Sequence, residues 1–157
     1  MTGPHLGRLA RAVVECCAGG KWDDVRALTD PDLVSAEIGS GSVLVGVEAV
    51  IGRWAGVAAA FPTIRAEIHA VSAGDDVAAV QVVWHATRGP EDQHEAGPDA
   101  GKTVILPDIV MSTWNRGRCI AERHQVGILT VLAGAAPEVQ FRGGAGRAHP
   151  PWVRPLW

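Results

Sequence analysis

The sequence predicts an α+β domain in which a curved antiparallel or mixed sheet, shaped like a cone, packs against N-terminal helices. The first observation is the order of its periodic segments, which runs helix, helix, strand, helix and then four strands in succession. This order is typical of a meander covered by helices that precede it. The second observation is the length of the late strands, because long strands beside a helix curl around it.

Three segments repeat apolar residues with the period of a helix, and each ends at a glycine or proline. The first is followed by two glycines, and Pro31 and Pro62 stop the other two. A residue before proline is pushed out of helical geometry, so these prolines set the boundaries. The predicted helices are residues 6–17, 22–29 and 48–61.

The strand predictions follow from alternation and from turn residues between the segments. The predicted strands are residues 33–38, 43–47, 63–71, 77–88, 103–114 and 119–129, and residues 89–101 form a loop rich in Gly, Pro and acidic residues. The segment 77–88 is apolar on both faces, which requires cover on both faces. The helices can cover one face, so we expect a homodimer through the other, outer face of the sheet.

Composition limits the class of protein. The chain has 157 residues, 47% of them hydrophobic, and a formal charge of −3, which predicts one folded domain and makes nucleic acid an unfavourable partner. We expect a domain over residues 1–133 and a Gly/Pro-rich tail over 134–157, whose Trp152 and Trp157 either dock on an apolar surface or belong to a disordered end.

Three cysteines without a CxxC predict reduced thiols. Without a leader or an apolar run of roughly 18 residues, we expect a cytoplasmic protein that does not bind membranes.

Four short motifs resemble those of the SnoaL-like polyketide cyclases in the nuclear transport factor 2-like superfamily. They are Val43-Leu-Val-Gly-Val-Glu-Ala-Val50, Phe61-Pro-Thr-Ile-Arg-Ala-Glu-Ile-His69, Gly74-Asp-Asp-Val-Ala-Ala79 and Gly117-Arg-Cys-Ile-Ala-Glu122. The resemblance covers about residues 6–132. It implies the cone fold, which is also called cystatin-like, and a cavity for a hydrophobic small molecule. It further implies a cofactor-free cyclase or isomerase of bacterial secondary metabolism and antibiotic biosynthesis, a lyase or isomerase by class.

The last strand departs from the family pattern at the position of its acid/base. The family strand reads Ile-Val-Glu-His-Trp-Asp, whereas this chain reads Ile120-Ala-Glu-Arg-His-Gln125. Gln125 therefore replaces the catalytic Asp, and a glutamine has no titratable proton. The resemblance then implies a ring closure that needs little proton transfer, either aldol or pericyclic, or a non-catalytic binding or accessory protein on the same fold.

Four residues are candidates for catalysis. Asp108 lies in an apolar run, where burial would raise its pKa towards that of a useful acid or base; alternatively it sits at a proline bulge and reaches solvent or Arg123. His85 can transfer protons near neutral pH, and the resemblance turns it inward together with Gln81. The resemblance also turns Gln125 inward and His124 towards the subunit interface, unless a bulge reverses the strand.

The substrate-binding candidates are Trp54, Gln81, Met111, Trp114 and Arg123. For the tryptophans and Met111, packing in the core and lining of a pocket remain alternative interpretations. With Gln81 inward, the outer face would carry Val80, Val82 and Trp84. No spacing of His and carboxylates suggests a metal, and no cofactor is expected. Contact between a buried Asp108 and His85 or His124 inside a cavity would favour an enzyme, whereas a cavity lined by apolar groups alone would favour a binding protein or a template.

Overall fold

The computed structural model describes residues 3–89 and 101–135, with side chains as far as Leu132. It contains four helices and six strands over these residues. The helices are α1 (Gly3–Gly19), α2 (Trp22–Leu28), α3 (Val47–Ala60) and α4 (Ile128–Ala135), and the strands are β1 (Thr29–Glu37), β2 (Ser42–Val45), β3 (Thr63–Ala73), β4 (Val77–Thr87), β5 (Thr103–Asn115) and β6 (Arg118–His124). The predicted α+β class is confirmed.

The strands form one curved open sheet in the order β2-β1-β6-β5-β4-β3. Strands β3 to β6 are consecutive antiparallel neighbours, as the predicted meander requires. Strand β1 pairs with β6 in parallel and with β2 in antiparallel orientation, so the sheet is mixed. This arrangement places β5 and β6 at the middle of the sheet, where both of their backbone edges are paired.

The hydrophobic core lies between the helices and one face of the sheet, which we call the inner face. It contains apolar residues from α1, α3, β4 and α4. Trp54 of α3 meets Trp84 of β4 with ring centroids 5.3 Å apart and the rings tilted by 48°. Such an aromatic pair stabilises the fold by about 0.5–1.5 kcal/mol beyond the burial of its area. The two indoles join the third helix to the centre of the sheet.

The inner face of β4 carries Val80, Val82 and Trp84, which are all at most 1% exposed. The expectation that these residues lie on the outer face is therefore wrong. The helices bury the face with the larger apolar side chains, and Gln81 and His85 are left on the opposite face. The outer face is still partly apolar, with Val77, Ile105, Ile109 and Met111 exposed by 40% to 59%. A homodimer through this outer face stays a prediction, but its contacts would be made by these exposed residues and not by Val80, Val82 and Trp84.

The last strand is shorter than predicted, because β6 ends at His124 and a helix begins at Ile128. The apolar run after Gly127 fits a strand and a short buried helix equally well, and periodicity cannot separate the two. Ile128, Leu129 and Leu132 are buried in the core. Strand β1 also differs, since it begins at Thr29 and passes through Pro31, where its register with β6 shifts.

A tight turn and a bulge decide which residues of β6 face the core. Arg116 and Gly117 have φ values of 48° and 81°, the left-handed pair that a two-residue hairpin turn requires. The pairing of β5 with β6 then shifts register, because Trp114 is opposite Cys119 while Thr113 is opposite Ala121. The extra residue is a bulge, and it reverses the alternation that follows. Glu122 and His124 consequently face inward.

Within the described ranges, no helix is long and apolar enough to cross a membrane. The predicted tail, including Trp152 and Trp157, lies outside the described residues, as do the residues of the predicted loop from 90 to 100.

Candidate functional site

Three titratable side chains meet in the interior of the cone. Asp108 comes from β5, and Glu122 and His124 come from neighbouring inward positions of β6; each is at most 5% exposed. His124 Nδ1 is 2.9 Å from Asp108 Oδ2, and His124 Nε2 is 3.6 Å from Glu122 Oε1. The first distance is a hydrogen bond, and the second is a contact between opposite charges. The imidazole thus lies between two carboxylates.

Asp108 is held by four donors. The backbone N–H groups of Ile109 and Val126 donate to Oδ1 at 2.8 and 2.9 Å, and His124 and the Trp84 indole N–H donate to Oδ2. Burial by itself would raise the pKa of Asp108, but His124, Val126 and Trp84 outweigh it and lower the pKa below its usual value. Asp108 is therefore an ionised anchor with both oxygens occupied.

The two carboxylates keep His124 charged. Burial opposes the charge of an imidazolium, yet the interactions with Asp108 and Glu122 raise the pKa of His124 from 6.5 to about 10. Burial also acts against an ionised Glu122, but the attraction to His124 and a hydrogen bond from Ser35 lower its pKa. At neutral pH the cluster consists of one cation and two anions. His124 is then a donor of hydrogen bonds and has no lone pair with which to accept a proton.

Glu122 and His124 line a small cavity between the helices and the sheet, and Trp54, Trp84, Val110 and Cys17 form apolar parts of its wall. The cavity has a volume of about 10 Å³, which is room for roughly one water molecule. The indoles of Trp54 and Trp84 occupy the space that a larger ligand would need. The described residues leave two polar side chains beside an almost filled apolar interior.

The three cysteines are protonated thiols, and Cys17 lines the cavity. Cys16, Cys17 and Cys119 are free. Burial raises the pKa of Cys17 well above its usual value, with a further contribution from the negative charge of Glu122. Burial, together with the negative charge of Glu122, also raises the pKa of Cys119. Because the thiolate is the reactive form, these thiols are poor nucleophiles at neutral pH.

The structure brings four of the candidate residues into the interior. Asp108 and His124 form the buried pair, Trp54 lines the cavity, and Trp114 is buried with its indole N–H 2.8 Å from the Ser112 hydroxyl oxygen. The expectation that His124 turns towards a subunit interface is wrong, because the bulge in β6 reverses the strand. The alternative that placed Asp108 against solvent or Arg123 is also not what the structure shows.

The other candidates lie on the outer face or at its rim, away from the cavity. Gln81, Met111, Arg123 and Gln125 are exposed, and His85 is partly buried with its Nε2 2.9 Å from Glu67 Oε2. The inward placement expected for Gln81, His85 and Gln125 is therefore wrong. Gln81 and His85 face outward because the helices bury the opposite side of β4, and Gln125 faces outward because of the bulge in β6. These five residues do not meet Asp108 in the described structure.

The sequence reasoning missed Glu122 as a site residue. Glu122 ends a motif that carries the family resemblance, but nothing in that motif indicates that its carboxylate faces the interior. Glu122 and His124 are two residues apart, so regular alternation already places them on one face of a strand. Once His124 faces inward, Glu122 must do the same. Ser35 was missed as well; it is opposite Glu122 in the pairing of β1 with β6 and is 4% exposed.

Over residues 3–89 and 101–135, no group of three His, Cys, Asp or Glu side chains has an arrangement that could hold a metal ion. In the buried cluster, both ring nitrogens of His124 face carboxylates. An imidazolium in this arrangement is a poor metal ligand, because a metal needs the neutral ring.

Comparison with known sequences gives one family. The sequence model of the SnoaL-like domain matches residues 10–122, which run from the middle of α1 to Glu122 in β6. No curated protein matches the chain.

Solved structures share the fold at low identity. A SnoaL-like protein from Jannaschia sp. CCS1, provisionally named a polyketide cyclase, is 23% identical with a TM-score of 0.62, over 80% of this chain and 89% of that one. IdmH from Streptomyces antibioticus, also provisionally named a polyketide cyclase, is 21% identical with a TM-score of 0.65, over 82% and 96%. A Catenulispora acidiphila protein with a ketosteroid isomerase-like fold, in complex with trimethylamine, is 12% identical with a TM-score of 0.61, over 80% and 92%.

Proposed function

Because the chain belongs to the SnoaL-like domain family, we propose that it is a cofactor-free cyclase or isomerase acting on a polyketide-like carbonyl compound of bacterial secondary metabolism. The observation that carries the proposal is the Glu122–His124 pair at the cavity wall, with Asp108 behind the imidazole. A carboxylate and an imidazolium side by side form a base and an electrophile of the kind that enolisation needs.

The two cavity-facing groups have complementary roles in this proposal. The His124 imidazolium donates a hydrogen bond to a substrate carbonyl oxygen and stabilises the negative charge that develops there. The Glu122 carboxylate takes a proton from the adjacent carbon, which leaves an enolate. Return of that proton to another carbon completes an isomerisation. Attack of the enolate carbon on a second carbonyl forms a carbon–carbon bond, and the proton that Glu122 took passes to the new alkoxide, which completes a ring closure and restores the carboxylate.

Asp108 acts in this proposal as a positioning residue and not as the base. All of its hydrogen-bond partners are fixed protein groups, and four donors stabilise its ionised form. Its effect is to set the orientation of His124 and to hold the ring protonated, as carboxylates behind catalytic histidines do. This assignment revises the expectation that Asp108 itself exchanges protons with the substrate.

Substrate binding requires the interior to open. A cavity with room for about one water is too small for a polyketide-like ligand, since pockets for such ligands measure roughly 300 Å³ or more. Movement of Trp54, which unlike Trp84 donates no hydrogen bond to Asp108, would make room beside Glu122 and His124. The enzyme therefore works by induced fit in this account, and the bound substrate takes the place of indole against the apolar wall.

A second candidate function is a non-catalytic binding or accessory protein on the same fold. The pairing of both His124 ring nitrogens with carboxylates favours it, because it engages the groups that would act on a substrate. In that case the buried cluster specifies the fold and performs no chemistry. The two functions differ in whether a carbonyl compound exchanges protons in the presence of the protein.

The experiment is proton–deuterium exchange followed by NMR in D₂O, with a panel of ketones and linear triketones and with buffer exchange subtracted. The wild-type protein is expected to accelerate exchange next to the carbonyl. Glu122→Gln should lower the rate by about 100-fold or more, the scale of a lost general base. Asp108→Asn should lower it by roughly 10- to 100-fold, the scale of a lost orienting group behind a histidine.

The chain offers a matched control on the outer face of the sheet. Glu67 and His85 form a carboxylate–histidine pair at the same distance, 2.9 Å, as Asp108 and His124. Glu67→Gln and His85→Gln should leave the exchange rate unchanged. Equal loss in the inner and outer variants, or no acceleration by wild-type protein with any of the ketones, would contradict the enzymatic proposal and favour the binding protein.

A further inference from the structure

A second buried carboxylate, outside the proposed catalytic pair, holds the segment that follows β6. Glu37 is the last residue of β1 and is 6% exposed. Its Oε1 accepts hydrogen bonds from the backbone N–H groups of Leu129 and Thr130, at 3.0 and 3.4 Å. Its Oε2 accepts from the hydroxyls of Thr130 and Ser40. Glu37 therefore satisfies the first free N–H groups of α4 from a distant part of the chain.

Asp108 holds the same segment only three residues earlier. The backbone N–H of Val126 donates to Asp108 Oδ1 at 2.9 Å, and the N–H of Gln125 donates to the carbonyl of Ile109 at 3.1 Å. The segment 125–130 thus runs between two carboxylates, one behind the proposed catalytic imidazole and one at the start of α4. The two contacts lie only three residues apart, so loss of the hydrogen bonds to Glu37 should also loosen the hydrogen bond from the Val126 N–H to Asp108.

Gly127 lies between the two contacts and lets Glu37 approach the backbone. A Cβ atom at position 127 would be 2.7 Å from Glu37 Oε2 and 3.0 Å from its Cδ. A contact below 3.0 Å forces one partner to shift, and the Glu37 carboxylate can shift only by giving up its hydrogen bonds to Ser40, Leu129 and Thr130. The carboxylate of Glu37 is therefore pressed against the peptide that joins Val126 to α4, and it does more than meet the end of a helix.

We infer that Glu37 is a positioning residue for the proposed site, because it keeps the Val126 N–H on Asp108 and thereby fixes the geometry of the Asp108–His124 pair. The inference rests on the proposed function for its catalytic consequence. Its structural part, the coupling of Glu37 to the Val126–Asp108 hydrogen bond, holds independently of any reaction. An ordinary helix cap would stabilise the fold without affecting Val126 separately from the rest of the core.

The test is amide hydrogen exchange of Glu37→Ala and Glu37→Gln in the full chain, resolved by NMR. In Glu37→Ala the Val126 amide should exchange at least about tenfold faster relative to the amides of β4, as expected when a hydrogen bond of typical net strength is lost. Glu37→Gln keeps one carbonyl oxygen for the N–H groups of Leu129 and Thr130, so it should restore most of the protection. The His124 ring proton on Nδ1 should broaden in Glu37→Ala and sharpen again in Glu37→Gln.

Thr29→Val is the matched control, because it removes another buried hydrogen bond, the 2.7 Å contact from Thr29 Oγ1 to the carbonyl of Val25. It should lower stability without a separate change at Val126. The inference is overturned if the amides of Val126 and β4 accelerate equally in Glu37→Ala, or if Thr29→Val exposes Val126 to the same extent.

An activity measurement separates this inference from the proposed function. If ketone exchange is catalysed, Glu37→Ala should lower kcat about tenfold with little change in KM, as expected for a displaced orienting group. If the wild-type protein catalyses no exchange, the proposed function fails while the amide measurement still decides on Glu37. If kcat stays at the wild-type value although Val126 is exposed, the catalytic part of the inference is wrong.

Discussion

Replacing His124 by glutamine should be the most destabilising single change in the buried cluster. The substitution keeps a similar volume and removes the cation that lies between Asp108 and Glu122. The rise in the pKa of His124 from 6.5 to about 10 corresponds to roughly 5 kcal/mol of preferential stabilisation of the charged ring, at about 1.4 kcal/mol per pKa unit. Removal of one partner from a buried charge cluster typically costs about 3–5 kcal/mol, which agrees in scale.

Urea unfolding at pH 7, followed by tryptophan fluorescence and circular dichroism, measures the change. The folded pKa of His124 is raised, so its contribution to stability is complete below 6.5 and is lost as the pH rises through about 10. The pKa values of Asp108 and Glu122 are lowered, so their contributions are present above their usual 3.8 and 4.5 and are lost on acidification. Stability should therefore be highest between about pH 4.5 and 6.5.

The double variant His124→Gln/Asp108→Asn provides the control, since it removes one of the two uncompensated anions. It should recover part of the lost stability, and the coupling between the two changes should exceed about 1 kcal/mol. A loss below about 1 kcal/mol in His124→Gln, or a wild-type stability that is flat between pH 6.5 and 10, would refute the charged-cluster reasoning.

Gly127→Ala should destabilise the fold by about 1–3 kcal/mol because its methyl group collides with Glu37. Gly52→Ala is the control, since Gly52 lies in an exposed turn of α3 with no atom within 4 Å of the added Cβ, and it should stabilise the fold by about 0.5–1 kcal/mol. Equal effects of the two changes in thermal unfolding would contradict the packing at Gly127. Ile109→Glu should convert the expected homodimer into a monomer in sedimentation experiments, because Ile109 is 40% exposed on the outer face. A wild-type monomer at micromolar concentration, or a dimer unaffected by the change, would show that the face has another role.

The helices and the meander could be predicted because their signals are local. Glycine and proline end α1, α2 and α3 close to the predicted positions, and strict alternation marks β3. The last segment could not be assigned in the same way, since its apolar run after Gly127 suits a strand or a short helix. The helix is favoured by Glu37, which caps α4 from 92 residues away, and such a distant contact leaves no mark in the local sequence.

The candidate site was predictable in part. Asp108 was identified from the cost of a carboxylate in an apolar run, and its partner His124 was among the candidates. The predictions of which face of β4 and of β6 points inward were wrong for two different reasons. For β4, both faces are apolar in sequence, so only the packing of α3 against Trp84 decides which one is inward. For β6, a single extra residue in the hairpin reverses every later side chain, and a register error of one is invisible to alternation alone.

The protonation state of His124 tests the central claim most directly, because both the proposed chemistry and the predicted stability depend on a buried imidazolium. The measurement is ¹⁵N NMR of the ring nitrogens across pH 5 to 11 in protein labelled at histidine. We expect both nitrogens of His124 to carry protons at pH 7 and the ring to titrate at a pKa of about 10. A neutral ring at pH 7, or a titration near 6.5, would contradict it.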